Sequence, residues 1–425
     1  MVGRFMIQVA QQCLNANQSV AGPESIFVKL VGARADLALV LVQRLVKSST
    51  AIKDINRLLN TLVATVDGVE EPFSPESIAY YRTLLKSLFV VLRAYQLGSH
   101  KSASDSLGGS TVSVMQTALN VLDRVVGRGF RALVSLVHDN DPDVLPEDLA
   151  LLTAIMQAIL ALPTMDQSQT QIMNIMASHD AVNAATSLFS WADKLAIQGD
   201  PLYGELSVLF LLELSTLPLV AEQLACDGVL SSLLSANLTK YMLKANISPF
   251  AEAPIAQRCY AIWAKGLLPL MLNLLASLGA TIAPEITYVL NQFSHLLESS
   301  VDRFEAPGVS RTTSRTTPLF LALLATSEIH SLALLTRILA VLRVNNGRDI
   351  PAVKWDAAAL LENVEFWLSS KRLLKERLLP LGAREMEWRS TKASDAAGSH
   401  DNLLELKIIS QLETVRDVLS EELEA

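Results

Sequence analysis

Ile175-Met-Ala-Ser-His-Asp180-Ala-Val182 and Glu222-Gln-Leu-Ala-Cys-Asp227-Gly-Val229 carry one instruction twice, with their aspartates 47 residues apart. In each copy a short helical pattern stops at an aspartate followed by a small residue, and a second helix begins at the valine. Ala184-Ala-Thr-Ser-Leu-Phe189 continues the first copy and Leu230-Ser-Ser-Leu-Leu234 the second. A lone helix pair cannot bury its own apolar face, so a chain that repeats such pairs stacks them into a curved solenoid.

Working outward, the apolar residues recur at helical spacing almost everywhere. Ser74-Pro75-Glu76 reads as an N-cap with proline at the first helical position, and the helix it opens places Ile78, Tyr81, Leu85, Leu88, Leu92 and Tyr95 on one face. Pro146-Glu147-Asp148, Asp200-Pro201 and Pro284-Glu285 give similar starts. The stretch Leu206 to Leu217 is apolar on nearly every side and needs neighbours on both flanks. No period-two run bounded by turn residues demands a strand. The reading is all-α, a right-handed α-helical solenoid of stacked helix pairs and triples, with a period in the range of armadillo and HEAT repeats. Single helices are expected over 75–97, 181–197, 229–243, 252–278, 284–303 and 352–378, and a terminal helix over 402–423, its face formed by Ile408, Leu412, Val415 and Leu419. Residues 1–425 are read as one elongated unit, interrupted by loops near 99–110, 306–317 and 390–401.

The composition agrees. Half of the 425 residues are apolar, and 35 Lys+Arg face 43 Asp+Glu for a net charge of −8. That is too apolar for a disordered chain, and its acidic balance argues against a nucleic-acid surface, which needs clustered Lys and Arg. A protein partner is the expectation. Cys13, Cys226 and Cys259 are odd in number and far apart, which points to a reducing compartment. The glutamines at positions 8, 11 and 12 stand where a secretory signal needs an apolar core, so the sequons at Asn17, Asn237 and Asn246 read as chance matches. Gly266 to Pro284 is nineteen residues without a charge, but Gly279 and Pro284 mark a turn within it, which favours a core helix over a membrane span.

No catalytic chemistry is legible. The six histidines form no His-x-x-x-His pair, and no Cys-x-x-Cys, Gly-Lys-Ser/Thr or Gly-x-Ser-x-Gly motif occurs. Asp139-Asn-Asp141-Pro-Asp143 begins like a calcium loop, but Val144 stands where the turn needs glycine and Ala150 where a glutamate is required, so capping of the next helix explains it better. Gly127-Arg-Gly129 lacks the third glycine and the preceding strand of a dinucleotide site. The expectation is therefore no enzyme, no cofactor and no metal. Tryptophans 191, 263, 355, 367 and 388 read first as core residues. The sharper possibility lies in the last third, where Phe320, Leu324, Trp355, Phe366 and Trp367 are concentrated; facing a groove between stacked helices, they would receive the apolar face of a partner helix.

Several phrases resemble one family. Pro201-Leu-Tyr-Gly-Glu-Leu through Asp227-Gly-Val-Leu-Ser-Ser-Leu-Leu, Ile255-Ala-Gln-Arg-Cys-Tyr-Ala-Ile-Trp263, Ser327-Glu-Ile-His-Ser-Leu-Ala-Leu-Leu-Thr-Arg337 and Trp355-Asp-Ala-Ala-Ala-Leu-Leu-Glu-Asn-Val-Glu-Phe-Trp367 are similar to the C-terminal tail of the scaffold nucleoporins of the 188/192/205-kilodalton family, in its fungal 188-kilodalton class. The resemblance runs from about Gly22 to the end. It implies an α-solenoid in the inner ring of the nuclear pore complex, at the nuclear envelope, that holds short helical segments of a linker nucleoporin. The alternative it implies is a transport-receptor-like module that binds Phe-Gly repeats.

Overall fold

The helix announced by Ser74-Pro75-Glu76 begins later than the sequence suggests. Ser74 does not cap it with its hydroxyl, which donates to the Glu71 carbonyl at 3.1 Å; instead the Ser74 carbonyl accepts the Ile78 N–H at 2.9 Å. The expected face is nevertheless the buried one, with Ile78, Tyr81, Leu85, Leu88, Leu92 and Tyr95 all in the core. The computed structural model describes residues 2–18, 25–45, 52–101, 108–163, 165–244, 247–306, 320–346, 350–391 and 402–424.

The chain divides into two compact units, Met1–Leu188 and Phe189–Ala425. The first holds α1 (Val2–Gln18), α2 (Ser25–Leu45), α3 (Ile52–Asp67), α4 (Ile78–Lys101), α5 (Gly108–Val121), α6 (Arg128–His138), α7 (Pro146–Leu160), α8 (Gln169–Ser178) and α9 (Ala181–Trp191), within which the division falls. The second holds α10 (Leu202–Leu214), α11 (Pro218–Cys226), α12 (Val229–Ser235), α13 (Asn237–Met242), α14 (Pro254–Ala261), α15 (Leu268–Leu278), α16 (Ala283–Gln292), α17 (Ser294–Asp302), α18 (Leu323–Asn346), α19 (Ala357–Ser369), α20 (Lys371–Arg377), α21 (Ala383–Ser390) and α22 (Leu403–Glu424). No strand forms among the described residues, in which isolated bridges join Ile197 with Asp200 and Leu321 with Leu378. The fold is all-α, as the periodicity requires.

Several expected long helices are broken. The 229–243 helix is interrupted at Ala236, whose ψ of 152° ends α12. The 284–303 helix breaks at Phe293 and the 352–378 helix at Ser370, both outside the helical region with ψ near 36° and 48°. The 181–197 helix ends at Trp191, and the turn at Gln198 and Gly199, both at positive φ, then brings Asp200 back to Ile197. Most of the expected loop residues near 99–110, 306–317 and 390–401 lie outside the described residues, although α4 runs to Lys101 and α5 starts at Gly108.

The repeated corner is real but shifted by one. Asp180 takes φ of 54° and Gly228 takes φ of 67°, so the left-handed corners are 48 residues apart and Asp180 corresponds to Gly228 rather than to Asp227. Asp180 N–H donates to the Ala177 carbonyl at 3.1 Å and Gly228 N–H to the Ala225 carbonyl at 3.0 Å. Aspartate is among the few residues besides glycine that enter this region at modest cost.

Among the described residues each unit contains one widened π-helical stretch, Leu122–Gly127 and Ile262–Leu267. In both, a glycine sits where a neighbour presses in. A Cβ at Gly127 would lie 2.7 Å from His179 Cδ2, and one at Gly266 would lie 2.5 Å from Val208 Cγ1. Gly127-Arg-Gly129 is thus a packing device. Pro269 adds a reason in the second case, because its ring is crowded by the carbonyl four residues back, at Lys265 inside the wide turn.

Two buried carboxylates are held by several donors. In the first unit Arg82 grips Asp148 through Nε at 2.6 Å and Nη2 at 2.8 Å, while Asp148 accepts the Leu145 N–H and thereby caps α7. The cap therefore comes from Asp148 and not from the 139–143 run, in which Asp141 accepts the Asp143 N–H at 2.9 Å. In the second unit the fully buried Glu328 accepts from Tyr260 Oη at 2.5 Å, Trp263 Nε1 at 2.9 Å and Arg303 Nη1 at 2.6 Å. Two helical stretches, Pro254–Thr281 and Leu323–Asn345, are long and apolar enough to cross a bilayer; 61% of each apolar window is buried inside the protein. Gly279, at φ of 55°, ends the first near the position the sequence marks.

Candidate partner-binding groove

The C-terminal core is closed by α22, which buries Ile408, Leu412, Val415 and Leu419 against α18 and α19. Over its edge runs an irregular strap, residues 350–356. Asn291 clamps it by donating to the Ala352 carbonyl at 3.0 Å and accepting the Lys354 N–H at 2.9 Å. At its end Trp355 donates from Nε1 to Ser300 Oγ at 3.1 Å, and Asp356 caps α19 by accepting the Ala359 N–H at 3.0 Å. The indole is half-buried and held at a fixed angle.

Trp355 is a wall shared by two hollows. On one side lies a groove of about 270 Å³ between α17 and α19, floored by Val301, Ala306 and Ala359 and rimmed by Glu298, Asp302, Glu305, Asp356, Glu362 and Lys354. On the other is a pocket of about 120 Å³ lined by Thr336, Leu339, Ala340, Arg343, Pro351 and Val353.

The five residues expected at a groove are divided by the structure. Trp355, Phe366 and Trp367 pack on the one C-terminal core, with the Phe366 and Trp367 rings edge to face at 5.5 Å. Trp367 is fully buried and donates from Nε1 to the Phe304 carbonyl at 2.8 Å, so no partner reaches it. Leu324 is also buried. Phe320 stands apart from that core, 40% exposed, with its ring 6.4 Å from Phe250. Trp355, Phe366 and Phe320 are the members with accessible surface. Of the other tryptophans, Trp263 is core, Trp191 is exposed, and Trp388 is flanked by Arg384 and Lys407, each 4.7 Å from its centroid.

Sequence reasoning missed the carboxylate rim, because Glu298, Asp302 and Glu362 come from two helices that only the fold brings together. It also missed a larger cleft in the first unit, about 830 Å³, between the 66–74 loop and α6. Two acid–base contacts lie in that cleft, Asp67 with Arg124 at 3.3 Å and Asp123 with His179 at 2.6 Å. Among the described residues no group of three or more His, Cys, Asp or Glu is arranged to hold a metal ion.

Stacked helix pairs joined by left-handed corners define an α-solenoid of the helical-repeat class. The family described as nuclear pore protein NUP188 C-terminal domain matches residues 58–419, and this chain belongs to it. Nucleoporin NUP188 of Chaetomium thermophilum is 50% identical over 99% of this chain, which spans 24% of that relative's length. Nucleoporin nup184 of Schizosaccharomyces pombe is 26% identical over 52% of this chain and 13% of its own. The solved structure of Nup188(aa1445-1827) from Myceliophthora thermophila superposes with a TM-score of 0.76 at 56% identity, covering 87% of this chain and all of that one. Family membership puts the chain at the nuclear pore complex, in the nuclear envelope.

Proposed function

We propose that this chain is part of a structural scaffold of the inner ring of the nuclear pore, and that its second unit clasps a short amphipathic helix of a linker nucleoporin in the groove beside Trp355. The observation that carries the reading is Trp355 itself: a rigidly held, half-buried aromatic between two hollows is the form of an interface anchor. The reading assigns no catalytic step. Isothermal titration of the chain with helical segments of the linker tests it. Saturable 1:1 binding that Trp355→Ala abolishes is the expected result, and failure of every segment to bind a folded chain overturns it. A second reading, capture of Phe-Gly repeats, is favoured by the surface pair of Phe320 and Phe250; it predicts weak association lost in Phe320→Ala and untouched in Trp355→Ala.

A further inference from the structure

We infer that the occupant of the Trp355 groove is a basic amphipathic helix, one that carries Lys or Arg about four residues apart along the edges of its apolar stripe. This rests on the helix-in-groove reading and adds the chemistry of the partner.

The groove's charge is one-sided. Five carboxylates, Glu298, Asp302, Glu305, Asp356 and Glu362, share it with a single cation, Lys354. None of Glu298, Asp302, Glu305 or Glu362 has an ion-pair partner among the described residues. Several other acidic groups of the same unit find cations: Asp200 and Glu205 share Arg258, Glu328 holds Arg303, Glu405 meets Lys375, and Glu421 meets Arg337. Unmatched like charges lining a hollow repel one another and favour whatever cation the hollow admits.

The charge is distributed along a line. Glu298 and Asp302 are one helical turn apart on α17, Glu305 follows in the turn beyond it, and Glu362 faces them from α19. Since these acids do not converge as a metal-binding group, they suit an extended cationic partner better than a point ion. A nucleic acid is excluded by charge. The apolar floor of Val301 and Ala359, walled by Trp355, gives the partner's apolar stripe its seat, and the rim then meets basic residues spaced about 5.4 Å apart, one helical turn.

The test is titration of the full chain with two helical peptides of about 20 residues. They share one Leu/Phe stripe and carry either lysines or glutamates at the flanking positions. The lysine peptide is expected to bind about tenfold more tightly at low ionic strength, with an advantage that shrinks as salt rises. The triple variant Glu298→Lys, Asp302→Lys, Glu362→Lys alters only exposed side chains, and its circular dichroism is expected to match the parent; it should reverse the preference. Equal binding of the two peptides, a preference unchanged in the triple variant, or linker segments that bind without salt dependence overturns the inference and leaves the helix-in-groove reading standing. No binding of any helix overturns both. Self-association of the chain that the triple variant abolishes would put a second copy in the groove, and also overturns the inference.

Discussion

The Trp367 indole N–H donates to the Phe304 main-chain carbonyl at 2.8 Å, and that bond separates the structural tryptophan of this region from the one that faces outward. Trp367→Ala removes a fully buried ring and leaves that carbonyl unpaired. A loss of about 3–5 kcal/mol is expected in urea denaturation. Trp355→Ala should cost far less stability, because its ring is only half-buried, while abolishing helix binding. Equal stability losses in the two variants would contradict this division.

Glu328 and Arg303 form a buried pair that is costly to break. With three donors on one buried carboxylate, Glu328→Leu strands the Arg303 guanidinium in the core, and about 3–5 kcal/mol should be lost. The double variant Glu328→Leu, Arg303→Leu removes the stranded charge. Its denaturation midpoint should lie above that of the single variant.

Burial holds the side chains of His138, His295 and His330 below the ordinary histidine value of 6.5. A histidine shifted downward contributes stability that is complete above pH 6.5 and is lost as the pH falls through the folded-state value. Thermal midpoints should therefore drop on acidification below about pH 6.5. His330, whose shift comes from burial alone, gives the clean check: His330→Gln should flatten that drop.

The glycines in and beside the wide turns can be ranked. Gly266→Ala brings a methyl group within 2.5 Å of the branched Val208 side chain and should cost about 1–3 kcal/mol. Gly127→Ala meets His179, which Asp123 holds in place, and should cost a similar amount. The nearest neighbour of a Cβ at Gly129 is Leu152 Cδ1 at 3.3 Å, the far end of a flexible side chain, so Gly129→Ala should be the mildest of the three. Chemical denaturation of the three variants orders them.

What the sequence disclosed depended on whether a local signal existed. The faces of α4 and α22 were legible because burial on one side of a helix leaves a period in the apolar residues. The breaks at Ala236, Phe293 and Ser370 were not, since none is a glycine or proline. The helix α21 was missed because Ala383-Arg-Glu-Met-Glu-Trp-Arg-Ser390 is too polar to show a stripe, and none of its residues is buried. At the groove, the sequence singled out aromatic residues of the last third, yet Trp355 and Trp367 look alike in sequence. Only the strap held by Asn291 and the buried Phe304 carbonyl tell them apart.

The closing helix α22 also bears on how the chain is made. The core it completes joins Val301 to Leu419, so no part of the chain emerging before Leu403 can close it. Until then Ile329, Ala333, Leu360 and Val364 on α18 and α19 lack the cover that α22 supplies. A ribosome-bound intermediate halted after α21 should accordingly display a sticky apolar surface, the kind that chaperones recognise, and lose it once α22 has cleared the exit tunnel.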